Sequence, residues 1–145
     1  MKPEFSQASE SFKKANPHIF AEGTLGQILL EPHDPAPTKE EIKSEKELQD
    51  QIEGHLERAN IVVIRQRMDK KTTTAVGTPD LLFALKGQAT AFECKAKGKK
   101  ATPDQVKMMQ RMSANGWICR VVDDYDAAIH EIHKIILQLT LDQCP

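Results

Sequence analysis

From Thr38 onward the spacing of apolar residues changes repeatedly, and each change marks an element. In "TKEEIKSEKELQDQIEGHLERAN", Ile42, Leu48, Ile52 and Leu56 form one apolar side among charged positions, which predicts an amphipathic helix. Two nested capping-box patterns, Thr38 with Glu41 and Ser44 with Glu47, offer alternative starts for it. "IVVIRQR" is rich in β-branched residues and reads as a strand. "DLLFAL" and "TAFECK" are two further strands, joined by "KGQ" into a hairpin whose expected turn is Gly87-Gln88, with Lys86 opposite Ala89. Thr102 is then a good N-cap, Pro103 suits the first helical position, and Gln105 completes a capping box. That helix stops at Asn115-Gly116, "WICRVV" is a fourth strand, and "YDAAIHEIHKIILQL" is a closing amphipathic helix. The expected order is α-β-β-β-α-β-α, an α/β arrangement.

The first 37 residues read differently. Phe5, Ala8, Phe12 and Ala15 lie on one helical stripe, and "EPHDPAPTK" is a proline-rich linker. The chain therefore divides into an N-terminal helical arm and linker, 1–37, and a domain spanning 38–145. At 145 residues, 28% charged and 39% apolar, it suits a soluble protein with a single core. No apolar run approaches membrane-spanning length, so no membrane partner is expected. The N-terminus lacks the apolar stretch of a secretory signal, and Cys94, Cys119 and Cys144 have no C-x-x-C spacing. Together these point to a reducing, cytoplasmic setting without a disulfide framework or a zinc site.

Charge changes the picture more. Between Asn60 and Arg111 stand 11 basic residues against 4 acidic ones, a surplus of +7 that leaves −8 for the rest of a chain whose net charge is −1. If it survives folding, so polarised a field offers one basic face to a polyanion such as nucleic acid; the plainer alternative is a scatter of solvated lysines.

The sharper signal is charge inside the strands. Glu93 and Lys95 alternate with Cys94 and so share a face, and the expected register sets Asp80 opposite Lys95 and Glu93 opposite Leu82. Three charges would then meet at one end of the hairpin. Two neighbouring carboxylates repel, and a hard cation such as Mg²⁺ relieves that repulsion with one or two carboxylates plus water and phosphate oxygens. Asp80 and Glu93 are the expected ligands, with the backbone carbonyl of Cys94 as a further one. Lys95 would orient a water or stabilise developing negative charge. Each piece alone has a structural explanation: E-x-K is common on solvent-facing strands, G-x-P-D can simply open a strand, and Gln105 can simply cap a helix.

Taken together, "GTPD", "FECKAK" and "TPDQ", preceded by "SEKELQDQI" and followed by "GWICRVVDDYDAAI", resemble the virus-type replication-repair nuclease (VRR-NUC) domain of the PD-(D/E)xK superfamily, from about Ser44 to Ile132. The resemblance implies a restriction-endonuclease-like core, a mixed four-stranded sheet flanked by helices, and Mg²⁺- or Mn²⁺-dependent phosphodiester cleavage. Carried over, the catalytic set is Asp80, Glu93, Lys95 and Gln105, with the first helix supplying an acid at Glu45. Glu41 and Glu47 are the rivals for that acid, and Gln49 stands one turn beyond Glu45.

The basic residues divide into two groups of DNA contacts. Lys97, Lys99 and Lys100 follow the E-x-K strand and would grip phosphates beside the scissile bond, whereas Arg65, Arg67, Lys70 and Lys71 would form a second rail. His130 and His133 lack companion ligands and read as surface residues; Trp117 reads as a core anchor. The expectation is a metal-dependent, structure-selective DNA endonuclease acting on branched DNA such as four-way junctions. Two symmetric nicks would require a homodimer, with the Phe5/Phe12 stripe as an added contact. The alternatives are an exonuclease or restriction-type nuclease of the same superfamily, and a catalytically silent DNA-binding protein.

Overall fold

A computed structural model describes residues 38–66 and 74–143. The N-terminal arm, Arg67, Lys70 and Lys71 lie outside the described residues. Helix α1 is Lys39–Arg58, followed by β1 (Val63–Arg65), β2 (Leu81–Leu85), β3 (Gln88–Cys94), α2 (Pro103–Ala114), β4 (Ile118–Val122) and α3 (Tyr125–Asp142). The order matches the hydrophobic pattern. The first strand is shorter than its β-branched run suggested, because Ile61 and Val62 precede the ladder.

The four strands form one mixed sheet in the order β1-β2-β3-β4, antiparallel except for the parallel β3–β4 pair. A parallel neighbour needs a crossover, and α2 supplies it. One face of the sheet carries Leu81, Phe83, Leu85, Phe92 and Cys94 against Leu48, Ile52 and Leu56 of α1 and Ala128, Ile132 and Ile135 of α3. Each such fully buried aliphatic side chain contributes about 1.5–3 kcal/mol by transfer alone. The other face packs Ala91 and Cys119 against Met109 of α2, with Trp117 partly buried at the edge. Ile42, expected on the apolar side of α1, is 43% exposed, since that side begins to be covered only at Leu48. No helix among the described residues is long and apolar enough to cross a membrane.

Helix starts follow their capping chemistry. Thr38 Oγ1 accepts from the Glu41 amide at 3.2 Å while Glu41 Oε2 accepts from the Thr38 amide at 2.8 Å, so the outer of the two nested signals is used. At α2, Thr102 and Gln105 exchange the same pair of bonds, at 2.8 and 3.3 Å.

The hairpin corrects the expected register. Leu85 pairs with Gln88, so the turn is Lys86-Gly87, with φ of 47° and 80°. Positive φ at both central positions makes a tight two-residue turn whose twist matches the strands; glycine adopts it freely, and Lys86 follows. Every partner therefore moves two places along β3. The ladder ends at Leu81 with Phe92, and one further step sets Asp80 opposite Glu93 instead of Lys95. A two-place shift preserves faces, so the charges stay together while the two acids become direct neighbours.

Candidate active site

Three elements converge where β3 ends. Asp80 closes the loop before β2, and its Oδ2 accepts the Cys94 amide at 2.9 Å. Glu93, 1% exposed, projects from β3 toward α2, where Gln105 Nε2 donates to its Oε1 at 2.5 Å. Lys95 Nζ lies 2.9 Å from the same oxygen, with its side chain 11% exposed. Oε2 of Glu93 is buried with no hydrogen-bond partner. A buried carboxylate oxygen left bare is costly and marks a place where something else completes the site.

The Gln105 amide serves two purposes. Its Oε1 accepts the Thr102 amide, which closes the capping box and turns Nε2 toward Glu93. Helix capping thereby orients a carboxylate of the site.

From the opposite face, α1 contributes Glu45, whose Oε1 accepts the Ala96 amide at 3.1 Å just beyond β3. The rivals are engaged elsewhere: Glu41 caps α1 and pairs with Lys99 at 3.3 Å, and Glu47 pairs with Lys43 at 3.8 Å on the outer surface. Gln49 is buried and accepts from Arg65 Nε at 3.0 Å.

Electrostatics in this cluster are set by burial. Desolvation raises the Asp80 carboxyl above its usual range, against the pull of the Cys94 amide and the Lys95 charge. Desolvation, then repulsion from Asp80, pushes Glu93 up to about 8, with Lys95 opposing. The Cys94 thiol points into the core and is raised by burial and both acids, which leaves it unreactive as a nucleophile. The chemistry therefore belongs to the carboxylates and the ammonium.

The donor set discriminates among metals. Among the described residues no three His, Cys, Asp or Glu side chains gather as a metal cage. Mg²⁺ and Mn²⁺ do not need one: one or two carboxylates with water and substrate oxygens suffice. Asp80 and Glu93, with the bare Oε2, fit that requirement.

The expected phosphate contacts are less free than their charge suggested. Arg65 does not face outward as a rail. It is held by Asp50, by Glu53 at 2.9 Å and by Gln49, all on α1. Those acids lie 12 and 15 residues away in sequence, outside the basic stretch, so composition alone hid the pairing. Lys97 lies 3.7 Å from Asp123 and is still largely exposed, Lys99 pairs with Glu41, and Lys100 is exposed. Asp123 also accepts the Gly98 amide at 2.9 Å, so it anchors the basic loop, a role that only the parallel β3–β4 pairing reveals. His130 and His133 are exposed on α3; the His133 ring centroid is 6.3 Å from that of His55.

No family model matches the sequence, and no curated protein matches it. The fold is similar to a solved structure described as a VRR_NUC domain, with 23% identity and a TM-score of 0.49, covering 64% of this chain and 94% of that one. The functional reading accordingly rests on the side chains of the site.

Proposed function

We propose that this protein is a divalent-metal-dependent nuclease that hydrolyses phosphodiester bonds in DNA. One observation carries the reading: the half-buried Asp80 and the buried Glu93 stand side by side, with the Lys95 ammonium on one oxygen of Glu93 and the other oxygen bare. A bound cation favours the ionised forms of both acids, whose carboxyls burial otherwise raises. Asp80 and Glu93 would hold Mg²⁺ or Mn²⁺, with the Cys94 carbonyl and Glu45 as further oxygen donors. When bound, the ion polarises the scissile phosphate and lowers the pKa of an attacking water.

The remaining work falls to the chain. Gln105 and Lys95 both hold Glu93 Oε1, which fixes the carboxylate and leaves Oε2 without a hydrogen-bond partner. Lys95, a compact charge with three donors, orients the water or meets negative charge developing on a phosphate oxygen. Lys97 and Lys100, exposed beside the E-x-K strand, supply sequence-independent contacts to the backbone. Lys99 joins them once it exchanges Glu41 for a phosphate. The substrate proposed is branched DNA such as a four-way junction, as the sequence resemblance implies. Two matched nicks would require a homodimer, because the described residues of one chain form one such site.

The test uses labelled four-way, flapped and linear DNA side by side, in Mg²⁺ and in Ca²⁺. Cleavage in Mg²⁺ that is lost in Asp80→Ala and Lys95→Ala, with binding retained, supports the enzyme. Preference for linear ends would identify an exonuclease, and binding without a cut in Mg²⁺ or Mn²⁺ would identify a silent binder.

A further inference from the structure

The loop that delivers Asp80 touches the helix that holds Glu93, and the contact is backbone on backbone. Gly77 has φ of +83°, and a Cβ placed there would lie 2.3 Å from the Asp104 carbonyl oxygen, 2.6 Å from its carbon and 2.9 Å from the Gln105 nitrogen. Atoms do not approach so closely, and neither backbone group can rotate aside as a side chain could. Any residue larger than glycine must push the loop and the first turn of α2 apart.

The push has somewhere to go. Between Gly77 and Asp80 the chain is stiff: Thr78 donates its amide and its hydroxyl to the Ala75 carbonyl, at 3.2 and 2.7 Å, and Pro79 is fully buried. At Asp80 the carbonyl accepts the Gln66 amide at 2.9 Å and the carboxylate accepts the Cys94 amide. On the other side of the contact, Gln105 is the residue whose side chain holds Glu93. The first turn of α2 thus carries both the surface on which the Asp80 loop rests and the amide that fixes Glu93.

We propose that Gly77 is a positioning residue: its bare Cα sets the distance between the Asp80 loop and the first turn of α2, and through them the spacing of the two carboxylates. This rests on the reading of that pair as the cation site. It is more than a turn glycine, and the molecule holds its own control. Gly87 has nearly the same φ, +80°, but a Cβ there meets nothing within 4 Å. Alanine at Gly87 imposes the left-handed strain alone; alanine at Gly77 imposes that strain and the collision.

The experiment compares Gly77→Ala with Gly87→Ala in the full chain. In Mg²⁺-dependent DNA cleavage, Gly77→Ala should lose about 100-fold in kcat at unchanged KM, the scale of a small displacement of reacting groups. Gly87→Ala should keep the wild-type kcat. A second readout needs no activity: in ¹H–¹⁵N spectra, the Gln105 side-chain amide should move in Gly77→Ala and stay in place in Gly87→Ala. Equal kcat losses in both variants, or a folded Gly77→Ala whose Gln105 amide does not move, would overturn the assignment. If Gly77→Ala unfolds, both readouts are taken with trimethylamine N-oxide, which favours the compact state. A chain that stays unfolded even then, while Gly87→Ala folds, would make Gly77 a folding residue and also overturn it. A wild-type protein that cuts no DNA would sink the nuclease reading, whereas the amide resonance would still decide the role of Gly77.

Discussion

Replacing Glu93 with glutamine should flatten the pH dependence of folding between pH 4.5 and about 8. Its side chain is 2% exposed and one oxygen has no partner, so the ionised form is disfavoured in the folded state. With a folded value near 8 against 4.5 for the free group, the native protein keeps a proton that the unfolded chain releases. Stability from that proton is complete below pH 4.5 and is lost as pH rises to about 8. At about 1.4 kcal/mol per pH unit the full span is on the order of 5 kcal/mol. Asp80, also raised by burial, adds a smaller slope of the same sign that the variant retains. The assay is urea unfolding in EDTA across this pH range. Its readout is the slope, which a pH-independent change in the variant's stability leaves untouched. Equal slopes in wild type and Glu93→Gln would refute the burial of charge on which the site is built.

Three further outcomes follow from other parts of the molecule. Mg²⁺ should raise the thermal midpoint more at about pH 8 than at about pH 6, because protons compete for the same carboxylates; equal shifts, or an undiminished shift in Asp80→Ala, would count against the cation site. Arg65→Ala should cost about 2 kcal/mol by urea unfolding, through its bonds to Asp50 and Glu53, while leaving DNA affinity and its salt slope unchanged. A shallower salt slope would return Arg65 to the phosphate contacts. Ile52→Ala, at a fully buried position between α1 and the sheet, should cost about 2–5 kcal/mol by the same measurement, and a loss below that range would mean a looser core.

What the sequence disclosed was local. The capping boxes at Thr38 and Thr102, the helix stop at Asn115-Gly116 and the faces of β2 and β3 depend on residues within a few positions, and the structure shows each of them, whereas the inner Ser44 signal lies within α1. The register did not follow, because a tight turn with lysine at positive φ is not the Asn-Gly or Asp-Gly signal that marks such hairpins. Shared faces survived that error, so Asp80, Glu93 and Lys95 still meet. The pairing of Arg65 with α1, the anchoring of the basic loop by Asp123 and the contact at Gly77 were all hidden for another reason. Each joins segments that only the packed fold brings together.

The bond between Ala96 and Glu45 spans 51 residues. Loop closure over that separation is entropically slow to be rewarded, whereas Glu93 and Gln105 lie only 12 apart. Deuterium uptake at the Ala96 amide therefore serves as a clock for the seating of α1, readable without any nucleic acid. Faster uptake there in Glu45→Gln, with the β2–β3 amides unchanged, would time the arrival of the helix separately from the hairpin beneath it.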